Sequence, residues 1–154
     1  MANISVIGAG TWGCGLSRVL CANGHNVLMW SPFEEEAANL RSTHIHPNLS
    51  NVVLPDTMDF TSDLEKALTD KELVVMAVAS PFTRMTAEKM SKYIAPGQRV
   101  VTVTKGIEES TLKTQVEILE ELLPTATLGA LSGPTHAEEV ILGLPTTIVC
   151  LGEP

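Results

Sequence analysis

The chain has 154 residues, 44% of them hydrophobic, and a formal net charge of −8; that length suits one domain with a full core. The acidic balance provides no basic stripe for a phosphate backbone, which argues against a nucleic-acid surface but leaves room for one basic pocket. An odd count of cysteines (Cys14, Cys21, Cys150) argues against a disulfide framework; no apolar run reaches the roughly 18 residues that span a bilayer, and Met1-Ala2-Asn3 leads into a strand without a basic leader, so a cytoplasmic chain with no membrane insertion is expected.

Ile4-Ser5-Val6-Ile7 predicts a strand that runs into Gly8-Ala9-Gly10-Thr11-Trp12-Gly13, with a helix over residues 12–23. Gly-x-Gly-x-x-Gly between a strand and a helix predicts a dinucleotide site. Gly8 suits the tight turn, Gly10 the close approach of backbone to a pyrophosphate, and Gly13 the packing of helix on strand; the first helical N–H groups then face the phosphates. Cys14 and Cys21 lie seven apart on this helix and should both face the core. Asn23-Gly24 ends it, and Val27-Leu28-Met29-Trp30 is a second strand, completing a right-handed βαβ unit. An NAD site usually carries an acid at this point to accept from the ribose 2′-OH. Trp30-Ser31-Pro32-Phe33 offers none before Glu34, and no arginine before Arg41. Ser31 suits a hydroxyl or a phosphate. The cofactor is therefore NAD or NADP, with a slight lean to NADP being accepted unless Glu34 turns back.

Pro32 opens a predicted helix over 33–42, with Glu34, Glu35 and Glu36 in its first turn. Residues 44–55 read as an irregular loop, its His44 and His46 solvent-exposed rather than metal ligands. A short strand at 58–60 precedes a helix capped by Ser62, with Glu65 completing a capping box. Residues 73–78 form an apolar strand buried on both faces. Ser80 caps the next helix, with Pro81 at its first position, and Pro96-Gly97 closes that region. A strand over 99–104 ends at Lys105-Gly106. A helix over 111–123, a strand over 127–131, a short helix over 137–142 and a strand over 146–151 follow. This alternation predicts an α/β fold: a Rossmann-type doubly wound, mainly parallel sheet with helices on both faces.

Ligands of such sheets sit outside the carboxyl ends of the strands. Those ends hold glycines, hydroxyls and a single cation, Lys105, which could pair a substrate phosphate or polarise a carbonyl oxygen. His136 could serve as a general acid–base group, though a helix-start residue facing solvent is the simpler reading.

Five segments together carry a resemblance: Gly8 to Gly13; Asn23-Gly24-His25-x-Val27-x-x-Trp30; Asn51-Val52-Val53-Leu54-Pro55; Thr104-Lys105-Gly106-Ile107-Glu108; and Leu131-Ser132-Gly133-Pro134-Thr135-His136-Ala137-Glu138-Glu139-Val140, continued by Gly143-Leu144-Pro145-Thr146. The chain resembles the N-terminal half of the bacterial NAD(P)-dependent glycerol-3-phosphate dehydrogenases. The resemblance implies hydride transfer between dihydroxyacetone phosphate and sn-glycerol 3-phosphate with NAD or NADP, feeding glycerophospholipid synthesis. It implies cofactor contacts at Thr11, Trp12, Pro32, Lys105 and Ala137, and substrate contacts at Lys105, Gly133 and Thr135. At Pro32 relatives can carry histidine or arginine; proline has no such side chain for a 2′-phosphate. His136 carries no role in that picture. Residues 1–154 then form the NAD(P)-binding domain. The family's proton-relaying lysine and its helical substrate domain are expected outside this chain, leaving no catalytic residue and no metal site within it. A homodimer is the assembly considered for the full-length protein. The alternatives are a domain of a hydroxyacid or ketopantoate-type dehydrogenase, or a non-enzymatic dinucleotide-sensing module. The pairing of Thr104-Lys105-Gly106 with Leu131-Ser132-Gly133-Pro134 speaks against the former, and the lack of a basic helix against the latter.

Overall fold

The computed structural model of the chain describes residues 1–49 and 52–152. Its strands are β1 (Asn3–Ile7), β2 (Asn26–Trp30), β3 (Met58–Thr61), β4 (Leu73–Met76), β5 (Arg99–Thr102), β6 (Thr127–Ser132) and β7 (Val149–Gly152). The helices are α1 (Thr11–Ala22), α2 (Glu34–Thr43), α3 (Leu64–Leu68), α4 (Thr83–Met90), α5 (Gln115–Leu122) and α6 (Ala137–Ile141). One sheet runs β3-β2-β1-β4-β5-β6-β7. Every neighbouring pair is parallel except β6 and β7, as the predicted doubly wound arrangement requires.

The period-two alternation of a strand explains how one sheet builds two cores. Ile4, Val6, Val27, Met29 and Val75 point to one face, where Cys14, Leu40 and Ile141 cover them from α1, α2 and α6. Ile7, Trp30, Val74, Met76 and Val100 point to the other, under Ala67, Ala87, Met90 and Leu119 from α3, α4 and α5. A single-residue slip of any central strand would exchange these sets, so the register is strongly fixed. No helix among the described residues is long and apolar enough to cross a membrane.

Cys14 is buried and Cys21, half-buried, packs against the same core, as expected. Other local expectations are corrected. The stretch after α2 is not a solvated loop. A 3-10 turn at Pro47–Leu49 and an antiparallel bridge between Ile45 and Val53 fold it onto the first core, burying Leu49 and Leu54. His46 is buried with it, its Nδ1 accepting from the Asn48 N–H at 3.1 Å. His44 ends α2 in the left-handed region (φ 52°) and meets the Phe60 ring edge-on at 5.5 Å. Asn51, quoted above in the resemblance, lies outside the described residues. Asp63, not Ser62, caps α3, accepting from the Lys66 N–H at 3.1 Å; the Ser62 hydroxyl donates to Glu34 instead. Ala79 precedes a 3-10 turn at Ser80–Phe82, and α4 starts only at Thr83. α5 starts at Gln115 rather than 111, because Thr114 and Glu117 form a reciprocal capping box and Leu112 adopts φ 60°, which no helix continues.

Candidate functional site

The strand order reverses between β1 and β4, and the crevice of a doubly wound sheet opens at that point. A cleft of about 550 Å³ lies there, lined by Gly10, Thr11 and Trp12 on one wall, 77–80 and 103–105 on its floor, and Thr135, His136, Ala137 and Glu138 opposite. Strand geometry delivers these residues. The Ala77 N–H donates to the Ile7 carbonyl at 2.8 Å and the Val103 N–H to that of Met76 at 3.0 Å, so the chain beyond β4 and β5 stays in register with β1. The Thr104 hydroxyl then donates to the Val78 carbonyl at 2.7 Å, clipping the two strand ends together.

Gly8 sits at φ +119° with Ala77 and Val78 backbone atoms 2.8–2.9 Å from where a Cβ would stand. A side chain fits neither the dihedral nor the space. At Gly13 a Cβ would meet the Gly8 carbonyl at 2.3 Å, which is how α1 approaches the turn. A Cβ at Gly10 would meet nothing within 4 Å. Gly10 is also the N-cap of the 12-residue α1 and supplies no side-chain cap, so the first donors of that helix go uncapped at the cleft wall. That is a place where an anion fits. Trp12 Nε1 and Thr135 Oγ1 are buried without a hydrogen-bond partner among the described residues, and each belongs to a cleft-lining residue. Such groups cost about 1–3 kcal/mol until a partner satisfies them. The residues present therefore fit a phosphate-bearing ligand with polar edges.

Lys105 Nζ donates to the Gly133 carbonyl at 3.1 Å and to that of Thr135 at 3.2 Å. It thereby holds the segment after β6 against the segment after β5. Gly133 itself does not line the cleft; a Cβ there would strike the Thr147 carbonyl at 2.4 Å. His136 is the exposed N-cap of α6, with no side-chain capping bond. Ser31 and Pro32 lie off this cleft, beyond the end of β2. Pro32 is exposed, while Ser31 is buried, its hydroxyl donating to Glu36 and accepting from the Phe33 N–H at 3.1 Å. The Ser31 hydroxyl thus ties the end of β2 to Glu36 on α2.

Three features were missed in the sequence. Glu138 stands on the cleft wall, although the sequence shows it only as a neighbour of His136. Glu36 returns to the end of β2; its position in the first turn of α2, five residues past Ser31, was the available signal. The third is an ion network behind Lys105. Arg84 on α4 grips Glu108 through Nε and Nη2 at 2.8 and 2.9 Å, and Glu121 on α5 through Nη1 at 2.9 Å. Lys113 also pairs with Glu121, and the Thr111 hydroxyl donates to Glu108. The Arg84 guanidinium, with Lys113 second, holds the Glu121 carboxyl down to about 2; Arg84, then Thr111, lowers that of Glu108. With Gln115 donating to the Gly106 carbonyl at 3.1 Å, the network anchors the loop that carries Lys105. No short-range signal reveals it, since Arg84 lies 24 and 37 residues from its partners.

A sheet that reverses at β1 and β4, a glycine turn beneath a helix N-terminus and a lysine across the cleft define a Rossmann-type dinucleotide-binding domain. The chain is similar over 150 residues to the NAD(P)+-dependent glycerol-3-phosphate dehydrogenase of Agathobacter rectalis, at 46% identity, covering 97% of this chain and 45% of that protein. An enzyme of the same description from Lactobacillus delbrueckii subsp. bulgaricus is 44% identical, with 97% and 46% covered. The crystal structure of glycerol-3-phosphate dehydrogenase from Coxiella burnetii superimposes with a TM-score of 0.90 at 25% identity, covering 97% of this chain and 46% of that one. The model of the NAD-dependent glycerol-3-phosphate dehydrogenase N-terminus matches residues 3–153, and the chain belongs to that family. It spans about half the length of the curated relatives it matches.

Proposed function

We propose that this chain is the dinucleotide-binding part of an enzyme that interconverts dihydroxyacetone phosphate and sn-glycerol 3-phosphate with NAD(P)H, in the cytoplasm, feeding glycerophospholipid synthesis. The observation that carries this reading is the cleft at the β1/β4 reversal, where the glycine turn, Lys105 and Thr135 converge. The nicotinamide cofactor supplies the hydride. Gly8 and Gly13 shape the turn, Gly10 leaves room for the pyrophosphate, and the first N–H groups of α1 receive it. Thr11 and Trp12 form the cofactor wall, and Ala137 faces them. Lys105 stands where cofactor and substrate meet; its ammonium is already oriented by two carbonyls, so it can turn a remaining donor to a carbonyl oxygen or phosphate. Thr135 offers an unpartnered hydroxyl beside it, and Gly133 sets the course of its loop.

No group in this cleft is proposed as the proton relay. Lys105 is proposed to bind and orient, not to relay the proton, and the lysine that the family resemblance implies stands in no matched segment of this chain. The chain alone should therefore bind dinucleotide and not turn over. Mixing it with NADPH and dihydroxyacetone phosphate is expected to leave the absorbance at the reduced-nicotinamide band unchanged; steady loss, proportional to chain concentration, would overturn this assignment. A homodimer is proposed for the full-length enzyme, to be read from its mass in solution.

A further inference from the structure

The end of β2 is where a dinucleotide fold reads the adenosine ribose. Trp30-Ser31-Pro32-Phe33 supplies no acid there, but α2 returns one. The buried Ser31 hydroxyl donates to the Glu36 carboxylate and is itself fixed by the Phe33 N–H at 3.1 Å. The two neighbouring acids are disposed otherwise. Glu34 accepts from Ser62, beyond β3, and Glu35 is exposed. The bond from Ser31 thus keeps the Glu36 carboxylate at the end of β2; its charge, after burial, also helps to push the thiol of Cys14 on α1 up to about 12.

Among the described residues no cation is paired with it. Arg41, the first arginine after the strand, donates to the Phe60 carbonyl at 3.2 Å and pairs with Asp59 at 3.6 Å. Pro32 has no charge to offer, and Lys105 is tied to the far wall of the cleft. A ribose 2′-OH can donate to a fixed carboxylate. A 2′-phosphate would meet it as a like charge, without an arginine or lysine to compensate.

We propose that Glu36, held by Ser31, is the residue that reads the ribose and makes this chain prefer NAD(H) over NADP(H). The proposal rests on the dinucleotide reading above and deepens it. It revises the slight sequence-based lean to NADP, because the acid comes from the third residue of α2 rather than from the strand end or from Glu34.

The test is a titration of the chain with NADH and with NADPH, each followed by quenching of tryptophan fluorescence. NADH is expected to bind at least about tenfold more tightly than NADPH. Glu36→Gln, which keeps the size and the acceptor for Ser31 but removes the charge, should bring the two within about threefold, chiefly by improving NADPH. Glu36→Asp should retain part of the preference, and Glu35→Gln, which removes the same charge from the exposed side of the same turn, should leave it intact. Melting curves accompany each variant, and the wild-type comparison stands without any of them. Equal affinities in the wild type, or an undiminished gap in a folded Glu36→Gln, would overturn the assignment of Glu36 while leaving dinucleotide binding in place. Failure of both NADH and NADPH to bind at millimolar concentration would overturn the dinucleotide reading itself, and the preference with it.

Discussion

Gly8 is the position at which the site tolerates no side chain at all. Its φ of +119° costs an L-residue roughly 1–3 kcal/mol, and a Cβ there would also overlap the Ala77 carbonyl group at 2.8 Å. The neighbouring atoms are backbone of the cleft floor and have no rotamer to yield. Gly8→Ala is therefore expected to lower the urea midpoint and to remove NADH binding, whereas Gly10→Ala, whose Cβ would meet nothing within 4 Å, should leave the unfolding free energy within about 0.5 kcal/mol of wild type, apart from any helix-start effect. Equal midpoints for wild type and Gly8→Ala would show that the turn can relax. Residue identity made both glycines legible in the sequence, since only their order and their placement after a strand were needed. Ser31 and Glu36 were not legible in the same way. Their pairing depends on how α2 leaves β2, and a serine at a strand end carries no mark of which way its hydroxyl turns.

Among the elements, α5 shows why boundaries were harder to read than existence. The apolar spacing over 111–123 is helical, but Thr114 satisfies the first free donors by accepting from the Glu117 N–H at 3.3 Å, while Glu117 accepts from the Thr114 N–H at 2.7 Å. This box fixes the start four residues later than the periodicity suggests. Thr114→Ala should cost about 1 kcal/mol, read as a shift in urea unfolding; no shift would mean that packing of Ile118 and Leu119 alone sets the helix start. The ion network joining α4, α5 and the Lys105 loop has a pH signature. Glu121 sits at about 2 and Glu108 below the 4.5 of a free carboxyl. Between those values the unfolded chain binds more protons than the folded one, so stability falls as pH falls. The contribution is complete above about 4.5 and fades toward about 2. Arg84→Met should therefore destabilise the chain more at pH 6 than at pH 3 when the two are compared by urea unfolding at matched salt. A deficit of the same size at both pH values would assign the effect to lost side-chain packing instead of charge. These groups are partly exposed, so added salt should shrink the difference at pH 6 as well.

Across the whole molecule, stability is graded from the centre of the sheet to one edge. β1 and β4 are flanked by strands on both sides and covered by both cores. β7 is exposed along its full length and bonded only to β6, and Leu142, Leu144 and Ile148 leading into it are exposed too. The doubly wound pattern was legible because buried parallel strands read as apolar runs. The antiparallel turn of β7 was not, because direction is absent from a strand's composition. The cleft lies between these regimes. Its glycine wall grows from β1, while its opposite wall, Thr135 to Glu138, runs from the link after β6 into the first turn of α6, held by the Lys105 ammonium and by α6 packing on α1. Native-state hydrogen exchange should therefore show β1 and β4 opening only with global unfolding, and residues 142–152 opening locally at much lower free energy. Saturating NADH should slow exchange at 8–13 and at 133–137 together, since a dinucleotide in the proposed cleft would bridge a rigid wall and a looser one. Lys105→Met should speed exchange of the Thr135 amide, which bonds to the Gly133 carbonyl at 2.9 Å, without altering β1. If 142–152 exchanged as slowly as β1, the edge would be part of the cooperative core, and the opposite wall of the cleft would need no lysine to hold it.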